Sequence, residues 1–182
     1  MPPPEAETQR LFFALWPPVE LGRELYRLGG RALGGVNGRR IPPESIHLTL
    51  AFLGSVTTKS RDCIESAAAA VKLDPFTLTL EQMGCWRKPG ILWVGPNRVP
   101  EPLSRLVLSL VSGLSGCGFE PDKRAFAAHL TLARRMHAAC ETALKEPVSW
   151  EIDRFHLVQS HTLAAGARYE ILRSWPFRSP AG

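Results

Sequence analysis

Ile46-His47-Leu48-Thr49-Leu50 and Ala128-His129-Leu130-Thr131-Leu132 carry one tetrapeptide, His-Leu-Thr-Leu, in two halves of the same chain. Both copies read as β-strands. In a strand, residues two apart face the same side, so His47 lies beside Thr49 and His129 beside Thr131. Four such side chains can give one tetrahedral anion a proton donor, a proton acceptor and two hydroxyl donors. One copy alone would read as a structural strand histidine. Two identical copies point to a shared site.

Working outward, Arg10 to Leu15 reads as a buried strand, stopped by Pro17-Pro18, which can open a helix. Leu21, Leu25 and Leu28 recur at helical spacing, and Gly29-Gly30 are placed to end that helix. The first motif strand is expected over Ser45 to Leu53, after the basic approach Arg39-Arg40-Ile41-Pro42-Pro43. Thr58 to Leu73 reads as a helix burying Cys63, Ala67, Ala70 and Val71. Strands follow over Phe76 to Leu80 and Ile91 to Val94, joined by a loop that contains Cys85 to Gly90. A second amphipathic helix over Pro102 to Leu114 turns Leu103, Leu106, Val107, Leu110 and Leu114 inward. Ala127 to Ala133 is the second motif strand. Trp150 to Leu163 and Arg168 to Trp175 close the chain as a hairpin across Ala164 to Ala167. The order implies an α+β fold of two related lobes in one domain over residues 1–182, each lobe giving a motif strand to a common cleft. Residues 1–8, rich in proline and glutamate, are expected to form a flexible tail.

The chain has 182 residues, 45% hydrophobic and 21% charged, with a net charge of +5. That is the composition of a globular protein with a mild preference for anionic partners such as nucleotides or nucleic acid. No apolar run is long enough to span a membrane, and no secretory leader is recognisable. Cys63, Cys85, Cys117 and Cys140 are widely spaced and form no Cys-x-x-Cys pair. This argues against structural zinc and for reduced thiols in a cytoplasmic protein.

Histidine titrates near neutrality, so one imidazole can take a proton from an attacking water while the other protonates the departing oxygen. Threonine hydroxyls beside them can bind the non-bridging phosphate oxygens as charge builds. His-x-Thr is a poor ligand spacing, and neither a His-Glu-x-x-His nor a Cys/His set accompanies it, so neither metal nor cofactor is expected. Phe52 and Arg134 stand at the same offset after the two histidines. Strict alternation turns both away from the histidines, so a role in the site requires each strand to bend or end first. His137, His156 and His161 lack the threonine and read as structural or surface residues. Arg39, Arg40, Arg87 and Lys88 read either as a basic rim for an RNA backbone or as solvated loop charges.

These residues resemble the 2H phosphoesterase superfamily, and within it the RNA 2′,3′-cyclic phosphodiesterases once called 2′-5′ RNA ligases. The likeness covers nearly the whole chain: Arg10 to Leu15 with Pro17-Pro18, Arg40 to Gly54 around the first motif, Ile91 to Gly95, Phe126 to Arg134 around the second, then Ser160, Tyr169 and Trp175-Pro176-Phe177. Where the family often has proline before the second histidine, this chain has Ala128. The resemblance implies a bilobal α+β fold with two pseudo-symmetric lobes of mainly antiparallel sheet around a central cleft. It implies hydrolysis of ribose 2′,3′-cyclic phosphate ends on RNA or nucleotides to 2′-phosphomonoesters without metal, with reversible 2′-5′ RNA ligation as related chemistry. His47 and His129 would be the acid–base pair, His129 as base and His47 as acid. Thr49 and Thr131 would bind the phosphate, Phe52 and Arg134 the nucleobase, in a monomer with no membrane partner. The competing readings are a phosphodiesterase for 2′-5′ oligoadenylate or other nucleotides, and a nucleotide- or RNA-binding module without turnover.

Overall fold

The computed structural model describes residues 8–120, 122, 124–136, 141–163 and 166–177, with backbone alone at 141 and 142. The apolar run Leu11 to Leu15 becomes the fully buried part of β1 (Thr8–Leu15). Pro18 caps α1 (Val19–Leu33), which runs through Gly29 and Gly30 and ends at Gly34, in the left-handed region at φ 51°. Gly29 does not stop the helix because its missing side chain serves packing. A Cβ there would lie 3.1 Å from the Leu132 side chain, so glycine lets α1 settle on the second motif strand.

β2 (Arg39–Arg40) and a short 3₁₀ turn (Pro43–Ser45) lead into β3 (Leu48–Thr57). The rest follows as α2 (Thr58–Ala69), β4 (Phe76–Trp86), β5 (Ile91–Gly95), α3 (Glu101–Ser115), β6 (Leu130–Arg134), β7 (Glu141–Ile152), β8 (Arg154–Leu163) and β9 (Gly166–Pro176). β4 thus continues through Trp86, which was expected in a loop, because Gln82 to Trp86 pair with β5. The single strand expected over Trp150 to Leu163 is two, broken at Asp153 between β7 and β8. Met1 to Glu7 of the expected tail and Ala164-Ala165 of the hairpin lie outside the described residues.

The strands form one sheet in the order β7-β4-β5-β6-β3-β1-β8-β9, with β2 added on β6 and every pairing antiparallel. Four-stranded halves, β7-β4-β5-β6 and β3-β1-β8-β9, meet at one ladder pair, Leu48 with Leu130. One face is covered by the helices. Leu25 of α1, Ile64 and Ala68 of α2 and all five of the expected α3 positions join the core with Leu48, Leu50, Leu130 and Leu132. On α2 the buried stripe is Ile64 and Ala68 rather than Cys63, Ala67 and Ala70. An alanine-rich segment gives too weak a contrast between faces for the sequence to choose one.

The cysteines correct a second expectation. Cys63 of α2 and Cys117, just past α3, form a disulfide with a Cα–Cα separation of 5.8 Å, and Cys85 is also disulfide-bonded. Close approach of the two helices makes the first bond possible. A Cβ on Gly113 would lie 3.0 Å from that of Ala67, so glycine opposite alanine lets α3 and α2 nearly touch. Residues 54 apart in sequence carry no spacing signal for this. The bond removes the argument from thiols for a reducing compartment. Among the described residues no helix is long and apolar enough to cross a membrane.

Candidate active site

Both histidines stand immediately before their strands, where the two halves meet. Leu48 pairs with Leu130, and both are fully buried. His47 and Thr49 flank Leu48 on one strand, and His129 and Thr131 flank Leu130 on the other, so all four belong to the same rung. The leucines anchor in the core while the alternate residues turn to the opposite face. The two His-Leu-Thr segments thus meet at their central leucines, and His129 is near enough to act on His47 as a charge.

Each ring is fixed in the same way. His47 Nδ1 donates to the carbonyl of Ser45 at 2.8 Å, and His129 Nδ1 donates to the carbonyl of Ala127 at 2.8 Å. A carbonyl can only accept, so Nδ1 carries the hydrogen and Nε2 of each neutral ring is left as the acceptor. Burial lowers the pKa of His47 to about 4; the Ser45 bond opposes this, and Arg134 and His129 add to it as repelling charges. The pKa of His129 is also lowered, first by burial and then by Arg134, against its bond to Ala127. Arg134 therefore acts on both rings.

That proximity answers the objection from strand alternation. In the β1–β3 ladder Phe13 faces Ala51 and Ala14 faces Thr49, leaving Leu50 without a partner. In the β5–β6 ladder Leu92 faces Ala133 and Trp93 faces Thr131, leaving Leu132 without a partner. Each motif strand thus has a β-bulge at the last leucine of its His-Leu-Thr-Leu. An extra residue reverses the alternation beyond it. Phe52 accordingly lies on the histidine side: it stacks on Phe12 with ring centroids 5.6 Å apart, and Phe12 lies 5.1 Å from the His47 ring. Phe52 is 57% exposed, a large apolar ring presented to solvent. Arg134 closes β6, and Arg135 turns the chain away at φ 60°.

The aromatic walls were not legible in the sequence. Trp16 stacks on His47 at 4.8 Å, and Tyr169 of β9 meets the same ring edge-on at 4.9 Å. Trp86 meets His129 edge-on at 4.6 Å and packs on Trp93. Trp16 directly follows a core strand, Trp86 fell in an expected loop, and Tyr169 is far away in sequence. Only the pairing of β1 with β8 and of β8 with β9 assembles the first wall. Of the remaining histidines, His156 is buried and hydrogen-bonded to the Ser174 hydroxyl at 2.7 Å, and His161 pairs with Glu170 at 3.1 Å. His137 lies outside the described residues.

An antiparallel sheet opened at a single rung, with a His-x-Thr pair on each lip, defines a two-histidine phosphoesterase fold. The chain belongs to the 2′-5′ RNA ligase superfamily, whose family model matches residues 17–163. Among curated relatives, it is 30% identical over 174 residues to the RNA 2′,3′-cyclic phosphodiesterase of Escherichia coli, covering 93% of this chain and 97% of that one. It is 34% identical over 154 residues to the RNA 2′,3′-cyclic phosphodiesterase of Archaeoglobus fulgidus, covering 79% and 86%. Among solved structures, E. coli LigT complexed with 3′-AMP superposes with a TM-score of 0.85 at 29% identity, over 95% of this chain and 100% of that one.

Proposed function

We propose that this protein hydrolyses ribose 2′,3′-cyclic phosphate ends of RNA to 2′-phosphomonoesters by acid–base catalysis between His47 and His129. The observation that carries the reading is the meeting of the two His-Leu-Thr segments at the Leu48–Leu130 rung. The activity named for the relatives and the nucleotide complex of the E. coli protein agree with it.

In the proposed reaction, the cyclic phosphate sits among the four side chains, its non-bridging oxygens bound by the hydroxyls of Thr49 and Thr131. His129, the less enclosed ring, takes a proton from water through Nε2. The hydroxide attacks phosphorus, the bond to the 3′ oxygen breaks, and His47 Nε2–H protonates that oxygen as it leaves. The product is a 2′-phosphate with a free 3′ hydroxyl. His47 starts with a strongly lowered pKa. The bound anion offsets the repulsion from Arg134 and lets the ring hold a proton, which it then gives up readily. Phe52 offers a face for the terminal base and Arg134 a guanidinium beside it. The scheme asks nothing of a metal, and one chain supplies every group, consistent with a monomer. With an RNA 5′ hydroxyl in place of water the same step opens the cyclic phosphate, releases the 3′ oxygen as a hydroxyl and leaves a 2′-5′ linkage, and its reverse restores the cyclic phosphate and the 5′ hydroxyl.

The test is incubation with an oligoribonucleotide ending in a 2′,3′-cyclic phosphate, with EDTA present, and comparison of the product with 2′- and 3′-phosphate standards. A 2′-phosphate product is expected. A 3′-phosphate would reverse the geometry of the leaving group, and no turnover with EDTA or added divalent metal would leave a binding module.

A further inference from the structure

Outside the cleft, the feature that calls for a ligand is a cluster of arginines on α1 and β2. Arg27, Gly30, Arg31, Leu33 and Arg40 line an open hollow of about 530 Å³. Resting on the reading of RNA ends as substrate, we propose that this hollow is a second phosphate site, which holds the RNA backbone upstream of the reacting nucleotide.

Three observations support it. The first is the built position of Arg40. Its guanidinium lies 4.0 Å above the ring of Tyr26, and a Cβ on Gly30 would fall 2.6 Å from its Nη1. α1 thus has a notch at Gly30 into which the guanidinium is laid flat. A solvated surface charge needs neither the ring nor the notch. Stacking on Tyr26 engages the guanidinium face and leaves its N–H edge for an anion. The second observation is charge pairing. Arg23, one turn earlier on the same helix, is bridged to Glu20, and Arg61, Arg105, Arg154 and Arg173 also have carboxylate partners. Among the described residues, Arg27, Arg31 and Arg40 form no such bridge. The exposed positive charges of this face remain open to an anionic partner.

The third observation is continuity with the cleft. β2 pairs with β6 so that Arg39 faces Arg134 and Arg40 faces Ala133. Arg39 and Arg40 point to opposite faces, as neighbours in a strand do. Arg39 therefore accompanies Arg134 on the cleft side, while Arg40 turns over the sheet edge onto α1. The path from Arg134 across β2 to Arg40, then Arg31 and Arg27, runs from the site of chemistry to the hollow. Guanidinium forks in a row suit successive phosphodiesters of one strand, and they carry no base selectivity.

The substrate class is thereby an RNA strand of several nucleotides, favoured over a nucleoside 2′,3′-cyclic phosphate, which cannot reach the hollow. The experiment compares cytidine 2′,3′-cyclic phosphate with an oligoribonucleotide carrying the same reactive end, for the native protein and for Arg27→Gln/Arg31→Gln. The variant should lose on the order of tenfold in kcat/KM on the oligonucleotide and none on cytidine 2′,3′-cyclic phosphate, which also certifies its fold. Its log–log dependence on salt for the oligonucleotide should be shallower by about 0.7 for each phosphate that the variant no longer holds. Equal kinetics and equal salt slopes for native and variant protein on the oligonucleotide would overturn the inference. If native protein turned over neither substrate, the catalytic reading would be the one to fall. Fluorescence anisotropy with a labelled oligonucleotide then decides the hollow separately: weaker binding by the variant supports it, and equal binding removes it.

Discussion

The two motif strands share a tetrapeptide, a backbone carbonyl on each Nδ1 and a bulge at the same leucine, yet their surroundings differ. His47 is enclosed by Trp16, Phe12 and Tyr169, rings brought from both ends of the chain. His129 has Trp86 against one edge. The backbone is therefore duplicated and the environment is not. Duplication sets the positions of the two imidazoles, and the unequal walls set their affinities for a proton. A pair of identical imidazoles would have no reason to divide the donor and acceptor roles proposed for them; the walls would supply one.

The sharpest break of this comparison is removal of either ring. His47→Ala and His129→Ala should each reduce turnover of a cyclic phosphate end by on the order of a thousandfold or more. Near-native activity in one of them, measured with the oligonucleotide assay, would mean that the halves are not partners. Thr49→Ala and Thr131→Ala should cost on the order of a hundredfold each, as single donors to developing charge do. If both threonines hold the phosphate equally, the two losses match within a few-fold. A loss confined to one variant would locate the phosphate on one lip.

The asymmetry has its own reading in pH. Both rings hold their protons less firmly than free histidine, His47 down to about 4. Turnover needs one proton on the pair, so kcat/KM should peak on the acid side of 6.5 and fall as pH rises and both rings become neutral. Trp16→Ala admits water to His47, brings its pKa back toward the ordinary 6.5, and should move that decline to higher pH. An unshifted alkaline limb would mean that the indole does not set the difference between the halves. The smallest expected effect on catalysis comes from the disulfide. Cys63→Ser/Cys117→Ser opens a crosslink spanning 54 residues and should lower stability by about 4 kcal/mol on loop entropy, seen as a lower midpoint in urea. Its kcat should stay native, since the bond ties α2 to α3 on the face away from the histidines.

How far the sequence could be read follows the kind of information involved. Local alternation located both motif strands, and leucine spacing found the whole inward stripe of α3, because period and burial are local. The same alternation excluded Phe52 and Arg134 from the histidine face unless the strand bent. It could not place the bend, since a bulge is a property of the pairing between strands and not of one strand. Gly29 read as a helix stop and is a packing position, a distinction fixed by Leu132 in the other half of the chain. Cys63 and Cys117 read as thiols because only the meeting of α2 and α3 brings them together. What escaped, then, was the meeting of distant segments, including the entire aromatic wall around His47.

The bulges at Leu50 and Leu132 make the motif strands sensitive to length as well as to composition. Each works like a shift of reading frame: one added residue reassigns everything after it to the other side. A deletion at Leu132 would keep His129 and Thr131 in register with Leu130 while rotating Arg134 off the cleft and toward the helical layer. The His-x-Thr pair would remain in place, and the enzyme would have lost its arginine without a single substitution.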